Sequence, residues 1–265
     1  MIGVFDSGVG GLTVIRALLA RMPDLPLIYL GDTARAPYGT KTPETVRRYA
    51  EESASFLIRE GAEAVVIACN TASALAGGHL RAKFPGVPFF EVVQPAVDAA
   101  LVATRTGRVG VLATRATVAS GVYEARIRAA RPDAQVISIA APLLVPLVEE
   151  GWLDTPETSA IVEHYVAPLL AEGVDTVILG CTHYPMIRNV IAAKLGEGIR
   201  LVDSADRLAD TFCATIKNDL KLAQVVTTGH GRRYLVTDLS PGFDTALTTW
   251  LGETSKSEKV SITES

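Results

Sequence analysis

Two stretches decide how this chain folds: Ala64-Val65-Val66-Ile67-Ala68-Cys69-Asn70-Thr71 and Thr176-Val177-Ile178-Leu179-Gly180-Cys181-Thr182-His183. Each is an aliphatic, largely β-branched run that stops at a cysteine, with small polar residues behind it. Short apolar runs without alternation read as parallel strands buried on both faces. Open α/β sheets bind ligands beyond the carboxyl ends of such strands, where each cysteine falls.

What precedes the two runs also repeats. Thr42-Pro43-Glu44-Thr45 stands before the first and Thr155-Pro156-Glu157-Thr158 before the second. Both open a helix in the same way, with Thr as N-cap, Pro at the first helical position and an acid in the first turn. Both helices are predicted to stop at Glu-Gly, Glu60-Gly61 and Glu172-Gly173, where glycine ends a helix. Helix, turn, strand and cysteine therefore recur in order. The chain reads as a duplication: two similar parallel-sheet α/β half-domains related by a pseudo-twofold axis, with an active site in the cleft between them.

The rest of the chain fits this frame. Ile2 to Phe5 and Arg108 to Ala113 are predicted as the opening strands of the two halves. After the first comes the glycine-rich turn Asp6-Ser7-Gly8-Val9-Gly10-Gly11, then a helix from Leu12 to Arg21. Thr13 stands where a dinucleotide loop needs its third glycine, so a better use of the turn is close approach of a small ligand beside Asp6 and Ser7. The loop from Gly31 to Thr40, behind a strand from Leu27 to Leu30, is long for an α/β connection and suits a binding loop.

Further helices are predicted over Pro43 to Glu60, Ala72 to Lys83, Pro95 to Thr104, Thr114 to Ala130, Pro156 to Glu172 (with a kink expected at Pro168), and Ala205 to Lys221. A short helix is expected in Pro142 to Gly151, another begins near Pro185, and the last runs from Pro241-Gly242 to Leu251. Strands are predicted over Val87 to Val93, Gln135 to Ala140, Arg200 to Val202 and Tyr234 to Thr237. The expected division is residues 1–95 with 208–265 as the first half, and 96–207 as the second. Residues 252–265 are polar and expected to form a disordered tail.

Composition narrows the function. With 265 residues, 48% of them hydrophobic, the chain can bury one large core or two smaller ones. A formal net charge of -4, with basic residues scattered, argues against nucleic acid as a partner. No run approaches a membrane span, and Met1-Ile2-Gly3-Val4 enters a strand at once, so neither a membrane anchor nor a secretory signal is expected. Three widely spaced cysteines do not make a disulfide framework, and a reduced, cytoplasmic setting is the expectation.

If the halves pack about a pseudo-twofold axis, a ligand in the cleft meets one thiol on each side. That geometry suits inversion of a stereocentre. One thiolate takes the α-proton from one face, and the opposite thiol returns a proton to the other. A thiol titrates near pKa ~8.5 and can serve in either direction. Helices starting at Asn70-Thr71 and Thr182-His183 would offer N–H groups to an α-carboxylate and favour thiolate on the preceding cysteine. Asp6 can lie beside the first thiol, His183 can tune the second, and Glu149 could orient His183.

Plainer readings compete. A lone strand-end cysteine is more often packing than catalysis, but two at equivalent places of a repeat, each with polar followers, reverse that preference. Cys213, inside a helix without such company, is read as structural. A zinc site from Cys69, Cys181 and His183 lacks a clear fourth ligand. His183 could equally be a satisfied buried imidazole, Asp6 an ordinary turn or cap residue, and Glu149 a solvated acid no different from Glu150.

The segments Phe5-Asp6-Ser7-Gly8-Val9-Gly10-Gly11-Leu12, Gly31-Asp32-Thr33-Ala34-Arg35, Pro37-Tyr38-Gly39, Ala68-Cys69-Asn70-Thr71-Ala72-Ser73 and Gly180-Cys181-Thr182-His183-Tyr184-Pro185 carry a resemblance. Across roughly residues 2 to 207 the chain closely resembles the bacterial glutamate racemases of the cofactor-independent aspartate/glutamate racemase superfamily. The resemblance implies Cys69 and Cys181 as the acid/base pair, with Asp6, His183 and Glu149 assisting. It implies substrate contacts from Asp6, Ser7, Pro37, Tyr38, Gly39, Asn70, Thr71, Thr114, Thr117, Thr182 and His183. It implies L- and D-glutamate as ligands, no pyridoxal phosphate, metal or nucleotide, a supply of D-glutamate to peptidoglycan synthesis, and a homodimer. One departure is Glu91, where the family usually has glycine.

Three rivals remain on the sequence. Aspartate or another amino acid could be the substrate of the same chemistry. A hydrolase or decarboxylase could use one cysteine and leave the other dispensable. A two-lobed amino-acid-binding regulator would bind tightly without α-proton exchange, and would have no need of paired thiols.

Overall fold

A computed structural model describes residues 1–228 and 230–262. The first half runs β1 (Ile2–Asp6), α1 (Leu12–Arg21), β2 (Leu27–Gly31), α2 (Pro43–Arg59), β3 (Ala64–Ile67), α3 (Asn70–Lys83) and β4 (Phe89–Glu91), and α4 (Val93–Ala103) crosses over to pack on the second sheet. The second runs β5 (Arg108–Ala113), α5 (Arg115–Ala119), α6 (Val122–Ala130), β6 (Gln135–Ala140), α7 (Leu144–Glu149), α8 (Pro156–Ala171), β7 (Thr176–Gly180), α9 (Arg188–Leu195) and β8 (Arg200–Asp203). The chain closes with α10 (Ser204–Asn218), α11 (Leu220–Thr228), β9 (Arg232–Val236), α12 (Pro241–Ala246) and β10 (Glu258–Lys259).

The strands form two sheets, ordered β10-β9-β2-β1-β3-β4 and β6-β5-β7-β8. All recorded pairings are parallel. The order β2-β1-β3-β4 in one half matches β6-β5-β7-β8 in the other, and the registers agree. Ile2 faces Ala64 and Val109 faces Thr176, which sets Asp6 against Ala113 and Ser7 against Thr114 across the repeat. β1, β3 and β7 are fully buried, as runs covered by helices on both faces must be.

Local chemistry explains the repeated helix starts. Thr42 Oγ1 accepts from the Thr45 amide at 3.3 Å, and Thr155 Oγ1 from the Thr158 amide at 3.2 Å, each just before a proline. Gly61 and Gly173, at φ +89° and +64°, take the left-handed turn that ends each unit.

Several boundaries differ from expectation. β4 is only three residues, because the Glu91 side chain turns back to accept from the Val93 and Gln94 amides at 2.6 and 3.2 Å and starts α4 early. The helix expected over Thr114 to Ala130 is broken at Gly121, φ +64°. Asp219 interrupts the helix expected to reach Lys221. Its carboxylate accepts from the Lys221 and Leu222 amides and caps α11, which was not anticipated. Behind Cys181 there is no α-helix N-terminus. A 3-10 turn spans Tyr184–Ile187 and the α-helix waits until Arg188. Pro185 has no N–H to give the Cys181 carbonyl, which instead accepts from the Tyr184 amide at 3.2 Å.

The disordered tail expected over residues 252–265 is corrected for its described part. Glu258–Lys259 pairs with β9, and the Val260 amide donates to the Val236 carbonyl at 2.9 Å. Ser257 anchors the approach on Asp244, and Ile262 is buried beside Leu30 and Leu235. The open edge of β9 and the alternate apolar pair Val260 and Ile262 account for the docking. Residues 263–265 of the expected tail lie outside the described residues.

Candidate active site

Cys69 and Cys181 sit at the carboxyl ends of equivalent strands, and both line one cavity of about 410 Å³ between the sheets. Ser7, Pro37, Tyr38, Gly39, Asn70, Thr71, Thr114, Glu149, Thr182 and His183 share its wall. Two expected contacts do not reach it. Asp6 is fully buried behind the wall, where the tight turn folds its Oδ2 onto the Gly8 amide at 3.0 Å. Thr117, also buried, lies behind Thr71 and Thr114 and bonds their hydroxyls at 3.1 and 3.0 Å.

Each thiol has its own surroundings. Cys69 is the N-cap of α3, its Sγ accepting from the Ala72 amide at 3.5 Å and lying 3.8 Å from Ser7 Oγ. Burial, then the Asp6 carboxylate, push this thiol up to about 12, against the lowering pull of Ala72 and Ser7. Cys69 thus rests protonated. Asp6 is itself raised by burial, against the pull of His183 and of nearby amides, and among the described residues its Oδ1 has no hydrogen-bond partner.

Cys181 meets an imidazole instead. Its Sγ is 3.7 Å from His183 Nδ1, and His183 Nε2 is 3.0 Å from Glu149 Oε1. Burial alone would lower the imidazole, but the contacts with Cys181 and Glu149 outweigh it and lift His183 to about 10. The ring is therefore charged at neutral pH. Both Glu149 and Glu150 are exposed, but only Glu149 lines the cavity and meets His183, which separates the two acids.

Contacts across the two halves hold this arrangement. Thr13 Oγ1, on α1, donates to the Thr182 carbonyl at 2.8 Å. Thr71 Oγ1 lies 2.9 Å from Thr114 Oγ1. A Cβ on Gly10 would fall 2.3 Å from Thr182 Oγ1 and 2.5 Å from His183 Cε1, and one on Gly39 would fall 2.7 Å from Thr114 Cβ. Both positions need glycine for close approach. The Tyr38 hydroxyl donates to Asp32, which also receives Arg35 Nε at 2.7 Å and Thr237 Oγ1 at 2.9 Å, so the binding loop is pinned from behind.

Sequence reasoning missed part of the wall. Pro142, Leu143, Val145 and Pro146 supply an apolar side, and Arg115 reaches the cavity from α5. The repeat held the signal: this segment follows β6, as the 31–40 loop follows β2. Cys213 packs half-buried on α10, away from the cavity. Among the described residues no three His, Cys, Asp or Glu side chains converge as metal ligands, and no helix is long and apolar enough to cross a membrane.

Duplicated parallel sheets that bring two strand-end thiols to one cavity define a class of two-lobed α/β protein with a paired-cysteine site. The chain belongs to the Asp/Glu/Hydantoin racemase family, whose profile matches residues 10–211. It is 43% identical to a glutamate racemase of Geobacter metallireducens over 242 residues, 91% of this chain and 89% of that protein. It is likewise 43% identical to one of Neisseria meningitidis over 253 residues, 96% and 93% of the two chains. Among solved structures it is similar to a glutamate racemase isoform of Bacillus anthracis, with TM-score 0.92, 32% identity and coverage of 98% and 97%. A glutamate racemase of Francisella tularensis in complex with D-glutamate gives TM-score 0.90 at 32% identity, covering 98% and 97%.

Proposed function

We propose that the protein interconverts L- and D-glutamate by two-thiol proton transfer, without cofactor. The observation that carries this reading is the pair of cysteines at equivalent strand ends on one cavity. One sulfur, as thiolate, takes the α-proton from one face of the substrate. The other, as thiol, returns a proton to the opposite face and becomes the thiolate. For the other enantiomer the roles exchange, and proton exchange with solvent resets the pair.

The flanking groups support these roles. The His183 imidazole, with Nδ1 3.7 Å from Cys181 Sγ, stands beside the second sulfur. The buried thiol of Cys69, kept protonated by burial and by Asp6, is prepared to donate. In this reading Glu149 keeps His183 charged, and Asp6 acts through Cys69 and the field at the cavity rather than by direct contact. Asn70 and Thr71, which open α3, line the cavity, and in this reading they contact the substrate, a helix start being suited to a carboxylate. Glutamate is preferred over aspartate because the relatives named above are glutamate racemases at 43% identity.

We extend the proposal to cellular setting and assembly. The protein would act in the cytoplasm, as a homodimer, and supply D-glutamate for peptidoglycan synthesis. Residues 1–95 with 208–265, and residues 96–207, would be the two lobes that enclose substrate. The test is incubation of the purified protein with L-glutamate and separately with L-aspartate, no cofactor added, followed by chiral chromatography. D-glutamate without D-aspartate supports the reading. D-aspartate alone moves the substrate, and tight binding without either product supports a binding protein instead.

A further inference from the structure

Asn70, the first residue of α3, lies beside Cys69 and lines the cavity, yet it is only 2% exposed. Its carboxamide is held by two groups from elsewhere in the fold. The Tyr123 hydroxyl, on α6, lies 2.6 Å from Oδ1, and Ser204 Oγ, at the start of α10, lies 3.3 Å from Nδ2. Ser204 Oγ also stands 3.0 Å from the carbonyl of Leu179, on the strand that carries Cys181.

Counting protons fixes the direction of this chain. A serine hydroxyl has one proton, and a carbonyl can only accept. Ser204 spends its proton on Leu179, so toward Asn70 it can only accept, and the amide nitrogen must face it. The amide oxygen then faces Tyr123, which must donate. Burial holds the Tyr123 phenol well above its ordinary range, so the donor keeps its proton. One of the two Nδ2 hydrogens goes to Ser204. Among the described residues the other has no protein partner, and it belongs to a side chain on the cavity wall.

We propose that Tyr123 is a positioning residue: together with Ser204 it locks the Asn70 carboxamide in one orientation, so that an amide hydrogen and not the amide oxygen meets a substrate carboxylate. A flipped amide would turn its oxygen on that carboxylate and repel it. This rests on the proposed reading of Asn70 as a substrate contact. Because the carboxylate is present before and during proton transfer, the orientation acts on binding more than on the chemical step.

The test is steady-state kinetics with both enantiomers. Tyr123→Phe keeps the ring, which packs against Gly180, and removes only the hydroxyl. It should raise KM for L- and D-glutamate about tenfold, the worth of one buried hydrogen bond, with kcat within about threefold. Ser204→Ala should act in the same direction and gives an independent variant should the first fail to fold. In an Asn70→Ala background, which itself raises KM, adding Tyr123→Phe should change KM less than about twofold, since the hydroxyl works through Asn70. A full tenfold effect in that background, or a fall in kcat with KM unchanged, overturns the proposal. If Asn70→Ala alone leaves KM at the wild-type value, the reading of Asn70 as a substrate contact fails, and the proposal fails with it.

Discussion

His183 Nδ1 lies 3.7 Å from Cys181 Sγ, whereas the matching residue of the other half, Thr71, turns its hydroxyl to Thr114 and Thr117. The duplicated scaffold therefore carries unlike partners for its two thiols. Cys69 has a carboxylate behind it, and Cys181 has an imidazole in front. A substrate whose two faces are chemically distinct does not need a symmetric pair.

This asymmetry gives a pH prediction. His183 is raised from 6.5 to about 10, so the folded state holds its proton more tightly than the unfolded chain. Its contribution to stability is complete below about pH 6.5 and is lost as pH rises toward about 10. Glu149 helps to raise it, and its side chain is 43% exposed, so Glu149→Gln should cost only about 1 kcal/mol near neutrality after screening. Denaturant melts of the two proteins should converge above pH 10, and the alkaline limb of kcat should move to lower pH in the variant. A limb that stays in place would remove Glu149 from the proton inventory of the site.

Cys69→Ser and Cys181→Ser should each lower kcat about 10³-fold in both directions, because an alcohol is far too weak an acid to replace the thiol as a proton-transfer group. Circular dichroism should show the fold intact. Full activity in either variant would return the thiol to a packing role.

Gly10→Ala places a methyl where Thr182 and His183 already stand. The neighbours are parts of the site, so relief of the clash must displace them. The variant should lose about 1–3 kcal/mol of stability and also raise KM. Denaturant melts and steady-state kinetics together check this, and a variant with normal KM would show that the two halves need not approach so closely at Gly10.

Glu91 is buried and joins halves: its carboxylate meets Arg126 of α6 at 2.6 Å and caps α4. Glu91→Ala leaves amides and a guanidinium without their acceptor and should cost about 3 kcal/mol. Urea unfolding measures it. Since Glu91 is outside the cavity wall, kcat on glutamate should stay within a few-fold of wild type, and a total loss of activity in a folded variant would contradict this.

The sequence made much of this legible because duplication prints the same physics twice. The Thr-Pro-Glu-Thr starts and the Cys69 and Cys181 strand ends each stand on local chemistry, and local chemistry is what residues show. What escaped depends on tertiary placement. Nothing local told that Asp6 would be buried behind the wall rather than on it, or that Glu149 and not Glu150 would reach His183. The turn after Cys181 is 3-10 rather than the start of an α-helix because Pro185 has no N–H, which leaves the Cys181 carbonyl to the tighter bond from Tyr184. The docking of the tail rests on two apolar residues, Val260 and Ile262, which weigh little in composition but suffice on an open sheet edge.

The central claim is that the proton leaving and the proton arriving use different sulfurs on opposite faces. The most direct measurement is racemisation of protiated L-glutamate in deuterated water, stopped early, with enantiomers separated and α-deuterium measured in each. The two-thiol account predicts D-glutamate carrying deuterium while the remaining L-glutamate stays protiated. D-glutamate that retains protium, or deuterium that appears in L-glutamate before any D-glutamate forms, would contradict it.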